Sequence, residues 1–574
     1  MRPSAPGGRS STRPRRSASG PLDLRLAIPA GVGWATTAVA VGVRGAAATL
    51  ALMSAMLAVG AVATALVTAA RSRATRRGSA PVRIRPVAVR ALAAVAVAAG
   101  VSALLLGAAA AREPLRHPAA LDAAAAADGT VVADVVLDEP PAPVASRAGG
   151  GSGAARARMR LVGRLTALHV GQEAHGPATD GTVVLRAPVP VVVFTSRAGS
   201  EPDGSGSAHL GVGTVVRLSA AVRPADPADR AAYLLVARGA LEPTAPPSGP
   251  LAAADDLRAG LSRAAAALPG PGAELLPGLA IGDVSAVPPA LAQTMKDSSL
   301  THLTAVSGAN CAVIVGLVLA LSAAVGLRRP GRAVAALAAL GAFVVLVTPQ
   351  PSVRRAAVMA AVLILSTASG RPARGLPALS LAVISLLAGD PWLARDLGFA
   401  LSVLATAGLL VLAPPVAERL SRRMPRRLAE ALAIPVAAQV ACQPVLLVLQ
   451  PGLPVHGALA NVLAEPAAAP ATIGGLVACV LRPVWPAAGG LALRLAWLPA
   501  SWIAAVASVL SRLPWGRVPW PTGTGGVLAL VVATVLVIAV VALGRAPHAD
   551  EPPTALPGPS PSPLPRTADV PPDG

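Results

Sequence analysis

Aromatic residues are nearly missing from this chain: one Tyr, three Phe and seven Trp among 574 residues. Charged residues are scarce too, at 13%, about half the share in an ordinary soluble domain. There are three cysteines, Cys311, Cys442 and Cys479, all in apolar stretches. They imply no disulfide framework and do not report a redox compartment. The seven histidines, among them His117, His169, His175, His209 and His548, are scattered without metal-ligand spacing. With no Ser-His-Asp or phosphate-loop pattern either, the expectation is a protein that is not an enzyme and carries no cofactor.

What remains is apolar. The chain is 54% hydrophobic with mean hydropathy +0.62, so most of it belongs in lipid. Ala, Val and Leu dominate, and Ala is close to neutral for membrane insertion, so each span is individually weak and its ends are blurred. The formal net charge of +21 suggests a nucleic-acid or anionic-lipid surface at first sight. The arginines crowd instead into short segments between apolar runs: 71–85, Arg328 to Arg332, Arg371 and Arg374, and Arg419 to Arg427. They recur at every second crossing, which is the positive-inside pattern and sets topology rather than function.

The first 26 residues are basic and too polar to pack. Apolar runs at 27–43, 45–70 and 91–111 read as three membrane helices, the first two as a hairpin anchor rather than a cleaved leader. From 112 to 270 the chain turns to Pro, Gly, charge and short β-type runs: 130–137, 157–165, 182–185, 189–195, 214–219 and 233–237. A small β-barrel of the OB type is the economical fold, on the far side of the membrane from the arginine loops. This segment has fifteen acidic and fifteen basic residues, and Tyr233 alone makes a poor stacking platform. A structural or docking role is therefore favoured over direct capture of a single strand. Nine further runs follow, at 303–326, 333–349, 354–370, 376–390, 397–414, 430–450, 456–481, 488–513 and 523–544. The expected architecture is a polytopic α-helical membrane protein of about 12 spans with an inserted extracytoplasmic OB-like domain. Its parts are 1–26, 27–111, 112–270, 271–545, and a Pro-rich tail at 546–574 that should be disordered. Both termini fall in the cytoplasm and the compartment is the cell membrane.

Polar groups within a span are costly, so they mark where function should be sought. The densest cluster runs from Gly278 to Asn310 and contains Gly282, Asp283, His302, Ser307, Gly308 and Asn310. If the run from Thr301 is helical, Leu303, Ser307 and Asn310 share one face, beside a glycine that admits a close neighbour. Ser307, Gly308 and Asn310 then either line a path or pack helices together. Arg355 is either an interfacial anchor or a phosphate contact, and Gln439 and Asn461 either line the path or bind neighbouring helices. Asp283 and Asp390, beside Gly or Pro, favour turn capping. His302, with no acidic partner in sight, is a poor catalyst.

The strings GLAIGD (278–283) and HLTAVSGAN (302–310) resemble the competence domain of the ComEC family of DNA-uptake proteins. Three further blocks agree in order: PSVRRA from Pro351, Gly389-Asp390-Pro391 followed by LGFALS (397–402), and Gln439 to Pro444 followed by NVLAEP (461–466). Gly282, Asp283, Asp390, Pro391, Gly398, Ser402 and Pro466 fall within these blocks as structural motif positions. The segment Val212 to Leu218 resembles the family's external OB-type domain. Many members place a histidine after the Ser-Gly pair; Ala309-Asn310-Cys311 stands here, so no role needing that histidine is carried over. Many members also end in a metallo-β-lactamase-like domain; its His-x-His-x-Asp-His cluster does not occur, and the chain looks like the channel part alone.

The resemblance implies a channel for single-stranded DNA across the cytoplasmic membrane during transformation. Its path candidates are His302, Ser307, Gly308, Asn310, Arg355, Gln439 and Asn461. Its partners are the single strand, the lipid bilayer, a DNA receptor, and separate nuclease and motor proteins. The alternative is a permease for a small solute or lipid that shares the fold.

Overall fold

The structure, a computed structural model, describes residues 23–75, 86–144, 158–170, 181–196, 210–304, 306, 308–347, 351–369, 375–514 and 516–543. Ser307, Arg371, Arg374, His175, His209 and the C-terminal tail lie outside the described residues.

The chain is mostly helical, and each of the twelve apolar runs coincides with a helix. They are α1 (Ala27–Ala40), α2 (Ala46–Thr75), α3 (Pro86–Arg116), α8 (Gly308–Ala324), α9 (Arg329–Leu346), α10 (Pro351–Ala368), α11 (Gly375–Gly389), α12 (Leu397–Val411), α14 (Arg426–Leu449), α15 (Gly457–Leu481), α16 (Pro486–Ser511) and α17 (Thr524–Leu543). The intervening helices are α4 (Ala119–Ala126), α5 (Pro250–Ala265), α6 (Pro271–Ile281), α7 (Pro289–Asp297) and α13 (Ala413–Leu420). Proline opens α5, α6, α7 and α16, where its missing N–H has no partner to lose.

Among the described residues six helices are long and apolar enough to cross a membrane: α2, α3, α9, α14, α15 and α16. The pair α12 and α13, bent by 47°, makes a seventh if read as one span. The count of about twelve is not reached on this measure. The 14 residues of α1 rise about 21 Å at 1.5 Å per residue, short of a ~30 Å hydrocarbon core. Turn chemistry shortens others. The Gly389-Asp390-Pro391 turn ends α11. The helix assumed from Thr301 is instead a 3-10 turn, Thr301–Leu303, with α8 starting only at Gly308. There Thr304 Oγ1 donates to the Thr301 carbonyl at 2.7 Å, offering that carbonyl a side-chain partner in place of the next helical turn.

Six strands precede the main helical body: β1 (Thr130–Leu137), β2 (Ala142–Val144), β3 (Arg158–Val170), β4 (Gly181–Ser196), β5 (Val215–Pro224) and β6 (Tyr233–Ala245). They pair in the order β1-β5-β6-β4-β3-β2, and β1 also pairs with β3, so the ladder runs in a circuit. Among the described strands only β4 and β6 are parallel. Alternation sends Val135, Leu137, Leu161, Leu165, Val191, Val216, Leu218 and Tyr233 to one buried core. The two runs expected at 182–185 and 189–195 are one strand. Its register against β3 shifts between Leu165 and Ala167, and Pro188 sits in the resulting bulge, where no ladder N–H is needed.

Residues 250–265, expected within the β segment, form α5 and pack on the helical body. Leu261 shares a core with Leu275, Leu276, Ala464 and Ile503. Buried Arg258 donates to the Val345 and Leu346 carbonyls at 3.4 Å each, at the end of α9.

Candidate functional site

A polar seam lies where α14 and α15 meet the turn after α7. Gln439 Nε2 donates to the Pro454 carbonyl at 3.0 Å, and Asn461 Nδ2 to the Gly457 carbonyl at 2.7 Å. A Cβ on Gly457 would lie 3.1 Å from the Ser299 side chain and 3.2 Å from Gln439 Oε1, so only glycine admits this approach without displacement. Ser299 itself takes φ +63°, an unusual backbone for a non-glycine residue. The acidic charge acting on the His302 ring is Glu465 of α15. The acidic neighbour that sequence spacing did not offer thus comes from 163 residues away, and both side chains are exposed. One turn beyond Gln439, buried Gln443 has no partner for its Oε1 among the described residues, and His456 Nδ1 is likewise unpaired among them. Unpaired polar atoms at such a seam are places for water.

The other path candidates fall in packed contacts. Asn310 is buried and donates to Thr472 Oγ1 at 3.1 Å; Thr472 in turn donates to the Leu279 carbonyl at 2.9 Å, joining α8, α15 and α6. Buried Arg355 donates from Nε to Ser402 Oγ of α12 at 2.8 Å. A Cβ on Gly308 would meet Arg355 Nη2 at 3.0 Å and the Ala356 Cβ at 3.1 Å, so α8 and α10 touch there.

The motif residues build turns. Gly282 ends α6 in the left-handed conformation, φ +79°. Asp283 accepts from Ser262 Oγ at 2.7 Å and from Ser285 N and Oγ at 3.0 and 2.6 Å. Asp390 accepts from Trp392 N at 3.2 Å as Pro391 starts a 3-10 turn. Asp396 caps α12 through Phe399 N at 2.6 Å, over exposed Gly398. Pro466 interrupts the hydrogen bonding of α15, and Trp502 Nε1 of α16 donates to the Leu463 carbonyl nearby.

A second locus, not foreseen from sequence, is a cavity of about 890 Å3 between the β unit and the helical body. Seven arginines and five carboxylates line it. From the β unit come Arg160, Arg164 and Arg230, with Phe194; from the helices come Arg112, Arg116, Arg354 and Arg395. Arg164 is committed to Asp138 at 2.9 Å, and Arg116 to the Asp229 carbonyl at 2.9 Å. Arg230 stands 3.5 Å from Asp390 and 3.9 Å from Asp396. Arg354 has buried Nε and Nη2 atoms without a partner among the described residues. The only tyrosine is elsewhere: Tyr233 is fully buried and donates to Asp122 at 2.6 Å, and burial raises its phenol above the ordinary value. His117, 3.3 Å from that phenol oxygen, is held below its ordinary value, chiefly by burial.

Residues 279–545 match the family model described as Competence protein. That segment, a little under half of the 574 residues, is similar to a competence domain. The matched segment includes α8 to α17, the polar seam, and the helix-borne cavity residues Arg354, Asp390, Arg395 and Asp396. Neither a curated protein nor a solved structure matches the chain. The apolar helices together with this match make the chain a multi-pass membrane protein.

Proposed function

We propose that the protein conducts single-stranded DNA across the cytoplasmic membrane during transformation, without itself being an enzyme. The competence-domain match over 279–545 carries this reading. A polyanion needs a wet path through lipid, and His302, Glu465, Gln439, Gln443 and Asn461 supply the polar lining that such a path requires. Asn310, Arg355 and Gly308 hold α6, α8, α10, α12 and α15 in place around it. In this reading the shorter helices cross the membrane as well, giving about twelve spans with both termini in the cytoplasm. The β unit is an OB-type barrel outside the cell membrane; the circuit of pairings with one parallel contact, β4 to β6, supports it. A DNA receptor, a nuclease and a motor complete the machine as separate proteins.

A deletion strain tests the function. Uptake of labelled DNA into the cytoplasm should vanish and return with the wild-type chain. Normal transformation by the deletion strain would instead favour a permease for a small solute or lipid.

A further inference from the structure

We infer that the cavity between the β unit and the helices is a seat for the phosphodiester backbone of single-stranded DNA. Arg354 and Arg230 make its central contacts. The inference rests on the transport reading above for the side of the membrane on which the cavity opens.

Arginine belongs on the cytoplasmic side of a membrane protein by the positive-inside bias. The arginines of the cavity sit at helix ends opposite to those joined by the arginine loops: the end of α3, the start of α10 and the turn before α12. Topology does not account for them. Nor does internal pairing. Charge-assisted hydrogen bonds run at about 2.7–2.9 Å, whereas Arg230 reaches its two carboxylates only at 3.5 and 3.9 Å. Arg230 Nε and two nitrogens of Arg354 are buried without a partner among the described residues. Arg160, on the same lining, is exposed with no ion pair among the described residues. Both side chains are only partly buried, but guanidinium nitrogens shut off from water and short of acceptors are costly, and an entering anion removes that cost.

The charges facing Arg354 are Arg230, Asp390, Asp396 and Asp138. The carboxylates hold the arginines loosely while the seat is empty, and a phosphodiester takes their place. Arginine is suited to this exchange because its fork binds phosphate oxygens in pairs. The volume lies within the ~300–1,000 Å3 of small-molecule sites, room for a short run of nucleotides but not for a duplex. Half-buried Phe194 offers one base a ring to stack on.

The test uses the full chain in nanodiscs of zwitterionic phosphatidylcholine, with a fluorescein-labelled oligothymidylate titrated at several salt concentrations. Combined Arg230→Gln and Arg354→Gln should weaken binding at least about tenfold, as loss of charged hydrogen bonds does. It should also flatten the salt dependence by about 0.7 for each phosphate that is no longer neutralised. Arg354→Lys, with Arg230 intact, should keep the salt slope but not the full affinity. Arg328→Gln, in the α8–α9 connection, should change neither. Unchanged affinity and slope in the double variant would overturn the inference. So would unchanged oligonucleotide binding together with reduced retention of phosphatidylglycerol, which would make the cavity a lipid headgroup site. The two readings fail separately. Normal uptake in the deletion strain, with arginine-dependent binding intact, removes transport alone. Lost uptake in the deletion strain, with wild-type binding by the double variant, removes the seat alone.

Discussion

The Arg116 guanidinium lies 3.8 Å over the ring of Trp392, while Trp392 Nε1 donates to the Pro227 carbonyl at 3.1 Å. One indole therefore ties the end of α3, the turn before α12 and the β5–β6 connection together. Removing it forfeits a cation–π contact of about 1–2 kcal/mol and a hydrogen bond of about 1 kcal/mol. In Trp392→Leu, amide exchange across 225–232 should quicken at least tenfold while the β core exchanges as before. Unchanged protection there would show that the β unit is held by other contacts.

The β unit should also respond to acid. Asp134 receives two hydrogen bonds from Arg217, at 2.8 and 3.1 Å, and lies 3.0 Å from His169 Nε2. The Arg217 bonds are the main cause that holds its carboxyl below the ordinary range, against opposing burial. A carboxyl depressed in the folded state stabilises above its unfolded value, about 3.9. That contribution is lost as pH falls through the folded value. Thermal unfolding of the β unit should therefore soften below about pH 4, and less so in Asp134→Asn, which starts lower but has less to lose. Parallel curves for the two proteins would remove Asp134 as the cause.

What the sequence made legible follows from range. Membrane class and the competence resemblance are local properties of composition and short strings; the apolar helices agree with the first and the family match over 279–545 with the second. Thr130–Leu137 is read correctly as a strand because its alternation is complete within eight residues. The span count is less legible because Ala-rich runs carry little signal about how far a helix continues; α8 begins only at Gly308 and α11 ends at Gly389. The cavity was invisible for another reason. Arg230, Arg354 and Asp390 are far apart in the chain, and each alone reads as a surface charge or a turn residue. Phe194 sat inside an apolar strand run, and nothing local marked which side of the sheet it faces. Glu465 was hidden likewise, since only the packing of α15 beside the turn at Ser299 brings it to His302.

Gly308 separates packing from conduction. Its Cβ position lies 3.0 Å from Arg355 Nη2 and 3.1 Å from the Ala356 Cβ, so a leucine there pushes α8 from α10. Overpacking of this kind costs about 1–3 kcal/mol. Gly308→Leu should lower membrane abundance several-fold, with uptake per remaining molecule little changed. Wild-type abundance with abolished uptake would place Gly308 on the strand's path instead.

His302 and Glu465 give the sharpest test of the seam. His302→Gln and Glu465→Gln keep size and hydrogen-bonding capacity while removing the titratable group, and both side chains are exposed, so neither change leaves a cavity in a core. Membrane abundance should stay at the wild-type level, whereas uptake per molecule should fall about tenfold in each variant, the loss of roughly one charged hydrogen bond along the path. Because the Glu465 charge acts on His302, the two effects should not multiply. The double variant should be little worse than the worse single one, as expected for residues in one network. Uptake of labelled DNA and abundance by immunoblot are measured in the same cells, so a folding defect is read separately from a transport defect. Multiplying losses would mean that His302 and Glu465 act at separate points, and unchanged uptake in both single variants would take the strand's path away from the α14–α15 seam.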